Sequence, residues 1–116
     1  MIGATVAAAL PSGVRVIAPA VNVPYTRQGA DVLRRRGILA LPDFVCNAGA
    51  VIGYRSARDA TPDQVLADTE NTIAAMITEA LSHPGGPLAG ACEHAAGFLR
   101  TWWGEPPAPP FAAGRG

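Results

Sequence analysis

Two hydrophobic periods alternate along the chain, one of strands and one of helices. VRVIA, Val14 to Ala18, is a short β-branched run bounded by PSG and APA, the pattern of a buried strand. Thr26 then stands as the cap of a helix through RQGADVLRRR, and Gly37 occupies the place of a left-handed C-terminal cap. ILAL, Ile38 to Leu41, follows at once as a second buried strand, closed by Pro42. Strand, helix and strand between residues 14 and 41 form a parallel crossover unit, because parallel neighbours need a connection of helix length.

PDFVCNAGA, residues 42–50, turns on small residues with an amide side chain in the turn, and VIGYRSAR is expected to continue as a helix into Ala57 or Arg58. Thr61 caps a helix with Pro62 at its first position and Asp63 in its first turn, where the helix dipole favours a carboxylate. Val65, Leu66, Thr69, Ile73, Met76, Ile77, Ala80 and Leu81 recur at helical spacing and predict one amphipathic helix, ended by HPGGP. A last helix is expected from Leu88 to Trp103. Residues 104–116, GEPPAPPFAAGRG, read as a Pro- and Gly-rich disordered tail with too little apolar surface to fold.

Two strands are too few for an independent parallel sheet, which is normally covered on both faces. The expected fold class is therefore α/β: the C-terminal part of a Rossmann-like doubly wound domain, with about two parallel strands plus C-terminal helices, incomplete as a stand-alone fold. Residues 1–103 would be this partial domain and 104–116 its tail.

Composition narrows the function classes. Nine basic residues balance nine acidic ones, which leaves no basic surplus to replace phosphate counterions and argues against nucleic acid. All nine are Arg, and Lys is absent. Cys46 and Cys92 lie far apart without a second Cys or His at metal-ligand spacing, so neither a disulfide framework nor zinc is indicated, and a reducing cytoplasmic setting is expected. His83 and His94 are too far apart to suggest a metal pair, and no carboxylate is spaced with them. The Ala-rich start lacks the positive charge of a secretory leader, and Arg15 interrupts its apolar run. No stretch reaches the ~20 apolar residues of a membrane span. Arg34, Arg35 and Arg36 read as a solvated helix end complementing the dipole. Trp102 and Trp103 read as anchors of the last helix on a neighbouring surface.

VIAPAVNVPYT, Val16 to Thr26, followed by RGILALPDFVCNAGAV, Arg36 to Val51, resembles the C-terminal, cofactor-binding portion of the glutamate/leucine/phenylalanine/valine dehydrogenase family. In that family an Ala-x-Asn strand end is followed, one helix later, by a Gly-Ile strand, a Pro-Asp pair and an Asn-Ala-Gly-Gly turn. Here the Asn is Asn22, the pair Pro42 and Asp43, and the turn Asn47, Ala48, Gly49 and Ala50. The resemblance covers Val14 to Leu81, more loosely to Trp103, and Ala50 departs from the family's second Gly.

The resemblance implies that Asn22 lies where nicotinamide and the substrate's α-carboxylate meet, a place an amide suits because it both donates and accepts. Alone, Asn22 reads as a turn Asn satisfying its own backbone. Asn47 and Gly49 would open a helix against the nicotinamide side of the cleft, and alone they read as an ordinary cap. Val51 and Tyr54 match positions lining the substrate side-chain pocket, with core packing as the plain alternative. Tyr54 stands where glutamate-specific members commonly carry Ser, so it does not support glutamate.

NAD or NADP is the implied cofactor, and oxidative deamination of an L-amino acid the implied reaction. The family's catalytic lysines cannot come from a chain without Lys, and no G-x-G-x-x-G turn is present to cradle a pyrophosphate. Contacts to nicotinamide alone leave little binding energy. The leading expectation is a C-terminal dehydrogenase fragment, separated from its upstream coding sequence and inactive by itself, with no catalytic residue of its own. A subunit of a split dehydrogenase, completed by another chain, is the second. A non-catalytic module docking on a full-length dehydrogenase is the third. The expected partners are thus the absent catalytic and Rossmann parts, or a second copy.

Overall fold

The computed structural model describes residues 1–105; the expected tail lies, from residue 106 onward, outside the described residues. The elements in chain order are α1 (Ala4–Ala9), β1 (Val16–Ile17), α2 (Arg27–Arg35), β2 (Leu39–Ala40), α3 (Asp43–Cys46), α4 (Gly49–Tyr54), α5 (Pro62–Leu81) and α6 (Pro87–Arg100). The two strands pair in parallel, with Val16 opposite Leu39 and Ile17 opposite Ala40, so the crossover read from residues 14–41 forms as expected.

Local chemistry sets the helix limits. The Thr26 hydroxyl accepts from the Gly29 N–H at 3.0 Å and starts α2. Gly37 ends it at φ 69, and the Gly37 and Ile38 N–H groups return to the Arg34 and Leu33 carbonyls, the hydrogen bonds of a left-handed helix stop. At α5, Thr61 and Gln64 satisfy each other's backbone N–H in a full capping box, with Pro62 in the first turn.

Ala7, Tyr25, Leu33, Ile38 and Ala40 form one buried cluster, and Val45, Ala80 and Ala91 a second, with Ile73 and Ile77 packed against it. Burying a side chain such as Leu33 stabilises by roughly 1.5–3 kcal/mol. The two strands are buried unequally. Ala40 is buried, while Val16 and Leu39, paired in register and so on the same face, are 48% and 41% exposed. The expectation of fully buried strands is corrected accordingly: α1, α2 and, through Leu88, α6 pack against the cluster that holds Ala40, while Val16 and Leu39 keep a large part of their surface in solvent.

Several boundaries move. α1 was not expected from the sequence; its Ala run favours helix, but six residues are marginal alone. Arg36 completes it by donating to the Ala7, Ala8 and Leu10 carbonyls at 2.6, 3.3 and 2.7 Å, so within the exposed Arg run Arg36 has a structural use beyond the solvated helix end foreseen for it. α4 stops at Tyr54 instead of reaching Ala57, because the Arg55 and Ser56 N–H groups bond three residues back and tighten the turn. α6 runs Pro87–Arg100, not to Trp103. Trp102 and Trp103 are exposed and stack on each other at 5.9 Å. On α5 the inward stripe is Val65, Thr69, Ile73, Ile77 and Ala80; Leu66, Met76 and Leu81 face outward.

Tyr25 ties the carboxyl ends of both strands. Only 3% exposed, it donates to the Leu41 carbonyl at 3.1 Å, with the Ile17 carbonyl at 3.4 Å. Burial, reinforced by Cys46 and Asp43, raises its pKa from 10 to about 12. The folded state therefore holds the phenol proton more tightly than the unfolded chain. Tyr25 stabilises fully below pH 10, and that contribution is lost as pH rises through 12. Burial also raises the Cys46 and Cys92 thiols above their ordinary 9, with the same sign, so the loss begins near pH 9. The urea midpoint is expected to fall across this window, and to fall less in Tyr25→Phe; an equal slope in the two proteins would refute the assignment.

Candidate functional site

The site lies where parallel strands end. β1 runs into a loop ending at Tyr25, and β2 runs through Leu41 and Pro42 into α3. Because the strands are parallel, both carboxyl ends open on the same edge, the place where such sheets bind ligands. Asn22 and Asn47, 25 residues apart, meet there: Asn47 Nδ2 donates to Asn22 Oδ1 at 2.7 Å. That bond uses the Asn22 oxygen and the Asn47 NH₂, and so turns the Asn22 NH₂ away as a donor, with the Asn47 oxygen as an acceptor.

Asp43 adds a second tie between loop and helix. Its Oδ2 accepts from the Val23 N–H at 2.8 Å. Val23 sits at φ 49, a left-handed conformation rare for a β-branched residue. Neither feature was singled out from the sequence. Val23 before Pro24 pointed the other way, since the residue preceding proline is normally extended.

The other expected site residues fall on α4. A Cβ on Gly49 would stand 3.5 Å from the Thr69 methyl, and one on Gly53 would stand 3.5 Å from Val65. The two glycines, one helical turn apart, thus form the side of α4 that packs on α5. Val51 and Tyr54 lie on its open side, 62% and 93% exposed, so the alternative of core packing for them does not hold. The structure joins Asn22 to Asn47, and places Gly49 between helices and Val51 and Tyr54 at the surface.

Both histidines have carboxylate partners that sequence spacing hid. His83 Nε2 lies 2.6 Å from Glu93, and His94 Nδ1 lies 2.8 Å from Glu79. The Gly85 N–H donates to His83 Nδ1, which leaves Nε2 as the nitrogen that carries the proton toward Glu93. Glu79 and His94 pair across α5 and α6, and His83 reaches Glu93 of α6 from the turn between them, relations that depend on the hairpin and not on spacing within one helix. Among the described residues no cluster of three or more His, Cys, Asp or Glu can hold a metal ion, and no helix is long and apolar enough to cross a membrane. An apolar groove of about 240 Å³ lies between α3, α5 and α6, lined by residues including Phe44, Val45, Met76 and Phe98.

No solved structure matches the chain. The family model for glutamate/leucine/phenylalanine/valine dehydrogenase matches residues 2–83 of the 116, a span that runs from two residues before α1 to two residues past α5 and includes the Asn22, Asp43 and Asn47 cluster. With most of its length and its whole strand-end cluster inside that match, this chain belongs to the glutamate/leucine/phenylalanine/valine dehydrogenase family.

Proposed function

We propose that this chain forms the nicotinamide and substrate side of the cleft in an NAD(P)-dependent L-amino-acid dehydrogenase, and that it is a C-terminal portion which turns over substrate only with the rest of such an enzyme. The observation that carries this reading is the Asn47 to Asn22 hydrogen bond at the carboxyl ends of both strands. It commits the Asn22 oxygen to Asn47 and leaves the Asn22 NH₂ as a donor, the complement of a nicotinamide carboxamide oxygen or a substrate carboxylate. These residues fit the nicotinamide end of the cofactor, NAD or NADP. When bound, that cofactor supplies the hydride acceptor for oxidation at the amino acid's α-carbon.

This chain's own residues bind and orient. Asn22 presents its NH₂, Asn47 fixes the sense of that amide, Gly49 lets α4 lie close to α5, and Val51 and Tyr54 offer an open wall to a substrate side chain. The lysines and the Gly-rich turn come from the partner portion. The partial exposure of Val16 and Leu39 supports such a partner, because parallel sheets are normally covered on both faces. Two free cysteines suit a reducing, cytoplasmic setting.

The test mixes the purified chain with the N-terminal and first dinucleotide-binding portions of a family enzyme and follows NAD(P)H fluorescence with L-glutamate, L-leucine, L-phenylalanine and L-valine. The chain alone is expected to give no signal and the mixture an amino-acid-dependent one. Association without turnover would replace this reading with that of a docking module. Turnover by the chain alone would overturn its dependence on a partner.

A further inference from the structure

We infer that Asp43 is a positioning residue: its carboxylate holds the Val23 peptide in a strained left-handed conformation and so fixes where the Asn22 amide stands against Asn47. The inference deepens the proposed function and rests on its reading of Asn22 as the group that faces cofactor and substrate.

Asp43 and Asn47 stand four residues apart, one helical turn, and the Asn47 N–H donates to the Asp43 carbonyl at 2.8 Å, so α3 carries both as one rigid unit. The loop after β1 meets that unit with two adjacent residues. Val23 gives its N–H to the Asp43 carboxylate at 2.8 Å, and Asn22 gives its side-chain oxygen to the Asn47 NH₂ at 2.7 Å. This makes a two-point clamp on consecutive residues.

The clamp works against a local preference. Val23 is β-branched and precedes Pro24, and both facts favour an extended backbone, yet its φ is 49. Such a conformation persists only where the surroundings over-determine it, and it clusters at ligand sites. On the far side the loop is anchored independently. The Pro24 carbonyl accepts from the Ile2 N–H at 2.6 Å, and the Thr26 N–H donates to the Ile2 carbonyl at 3.1 Å. With that end fixed, releasing the Val23 N–H lets residue 23 relax toward extended geometry, which swings Asn22, its immediate neighbour, away from Asn47.

A carboxylate at the start of α3 has a simpler use, favouring the helix dipole. That use neither explains why the acceptor serves Val23, twenty residues earlier, nor predicts any dependence on the residue at position 23.

The test is nuclear magnetic resonance on the unliganded, isotope-labelled full chain, following the Overhauser contact between the Asn22 and Asn47 side chains and the exchange rate of the Val23 amide. Asp43→Ser keeps an oxygen suited to a helix start but falls short of Val23. It is expected to abolish the contact and to speed Val23 exchange about tenfold or more, with the Ile38 amide unchanged. Adding Val23→Gly, for which φ 49 costs no strain, is expected to restore the contact in the Asp43→Ser protein. Wild-type contact intensity in Asp43→Ser, or no recovery on adding Val23→Gly, would overturn the proposal. The readout needs neither cofactor nor turnover, so failure of the mixing experiment would leave it standing.

Discussion

Gly29→Ala is expected to lower the thermal midpoint of this chain by about 10 °C or more, from an overpacking cost of roughly 3 kcal/mol. The segment before α1 crosses the first turn of α2 at Gly29, and a Cβ there would stand 2.0 Å from the Ile2 carbonyl oxygen and 3.0 Å from its carbon. Both are backbone atoms, so no side-chain rotamer can relieve the overlap. The segment has to lift away, which breaks the Ile2 to Pro24 and Thr26 to Ile2 hydrogen bonds and loosens the Arg36 contacts that close α1. Gly13 is the control: a Cβ there meets nothing within 4 Å, and Gly13→Ala is expected to move stability by less than about 0.5 kcal/mol. Circular dichroism melting of the three proteins decides the matter, and a Gly29→Ala midpoint within about 2 °C of the parent would show that the crossing contributes little.

Asn22→Ala, assayed in the completed dehydrogenase, is expected to reduce kcat/KM about 100-fold, the scale of removing one preorganised donor from a water-poor site. Asn47→Ala should cost less, about tenfold, because Asn47 acts on Asn22 through their 2.7 Å bond and leaves the donor itself in place. The double substitution should then cost little more than Asn22→Ala, since residues in one network do not contribute additively. Full additivity would mean that the two amides serve separate contacts. Activity within twofold of the parent for Asn22→Ala would remove the strand-end amide from the cleft altogether.

The same dipeptide shows how a legible signal can be used once and overlooked once. Pro62-Asp63 marked the start of α5, where a Thr cap and a long apolar stripe followed. Pro42-Asp43 starts α3 as well, but four residues carry no periodicity, and a short helix hides inside what reads as a turn. The Ala-rich opening was equally quiet. Its helix propensity is high, yet its persistence depends on Arg36, which no local window connects to it.

The crossover of strand, helix and strand, the caps at Thr26, Gly37 and Thr61, and the family are all legible in the residue order, because each rests on neighbouring residues or on short motifs in fixed order. Residue order also marked Asn22 and Asn47. That the two amides bond each other is a matter of packing, since the contact exists because α2 returns β2 parallel to β1 and brings both carboxyl ends to one edge. The Asp43 hold on Val23, the turn of Gly49 toward α5, the exposure of Val51 and Tyr54, and the His to Glu pairs of the α5–α6 hairpin arose in the same way. Periodicity records which face of an element is apolar, whereas the partner that face or side chain meets is set by how the elements pack, across separations no sequence window spans.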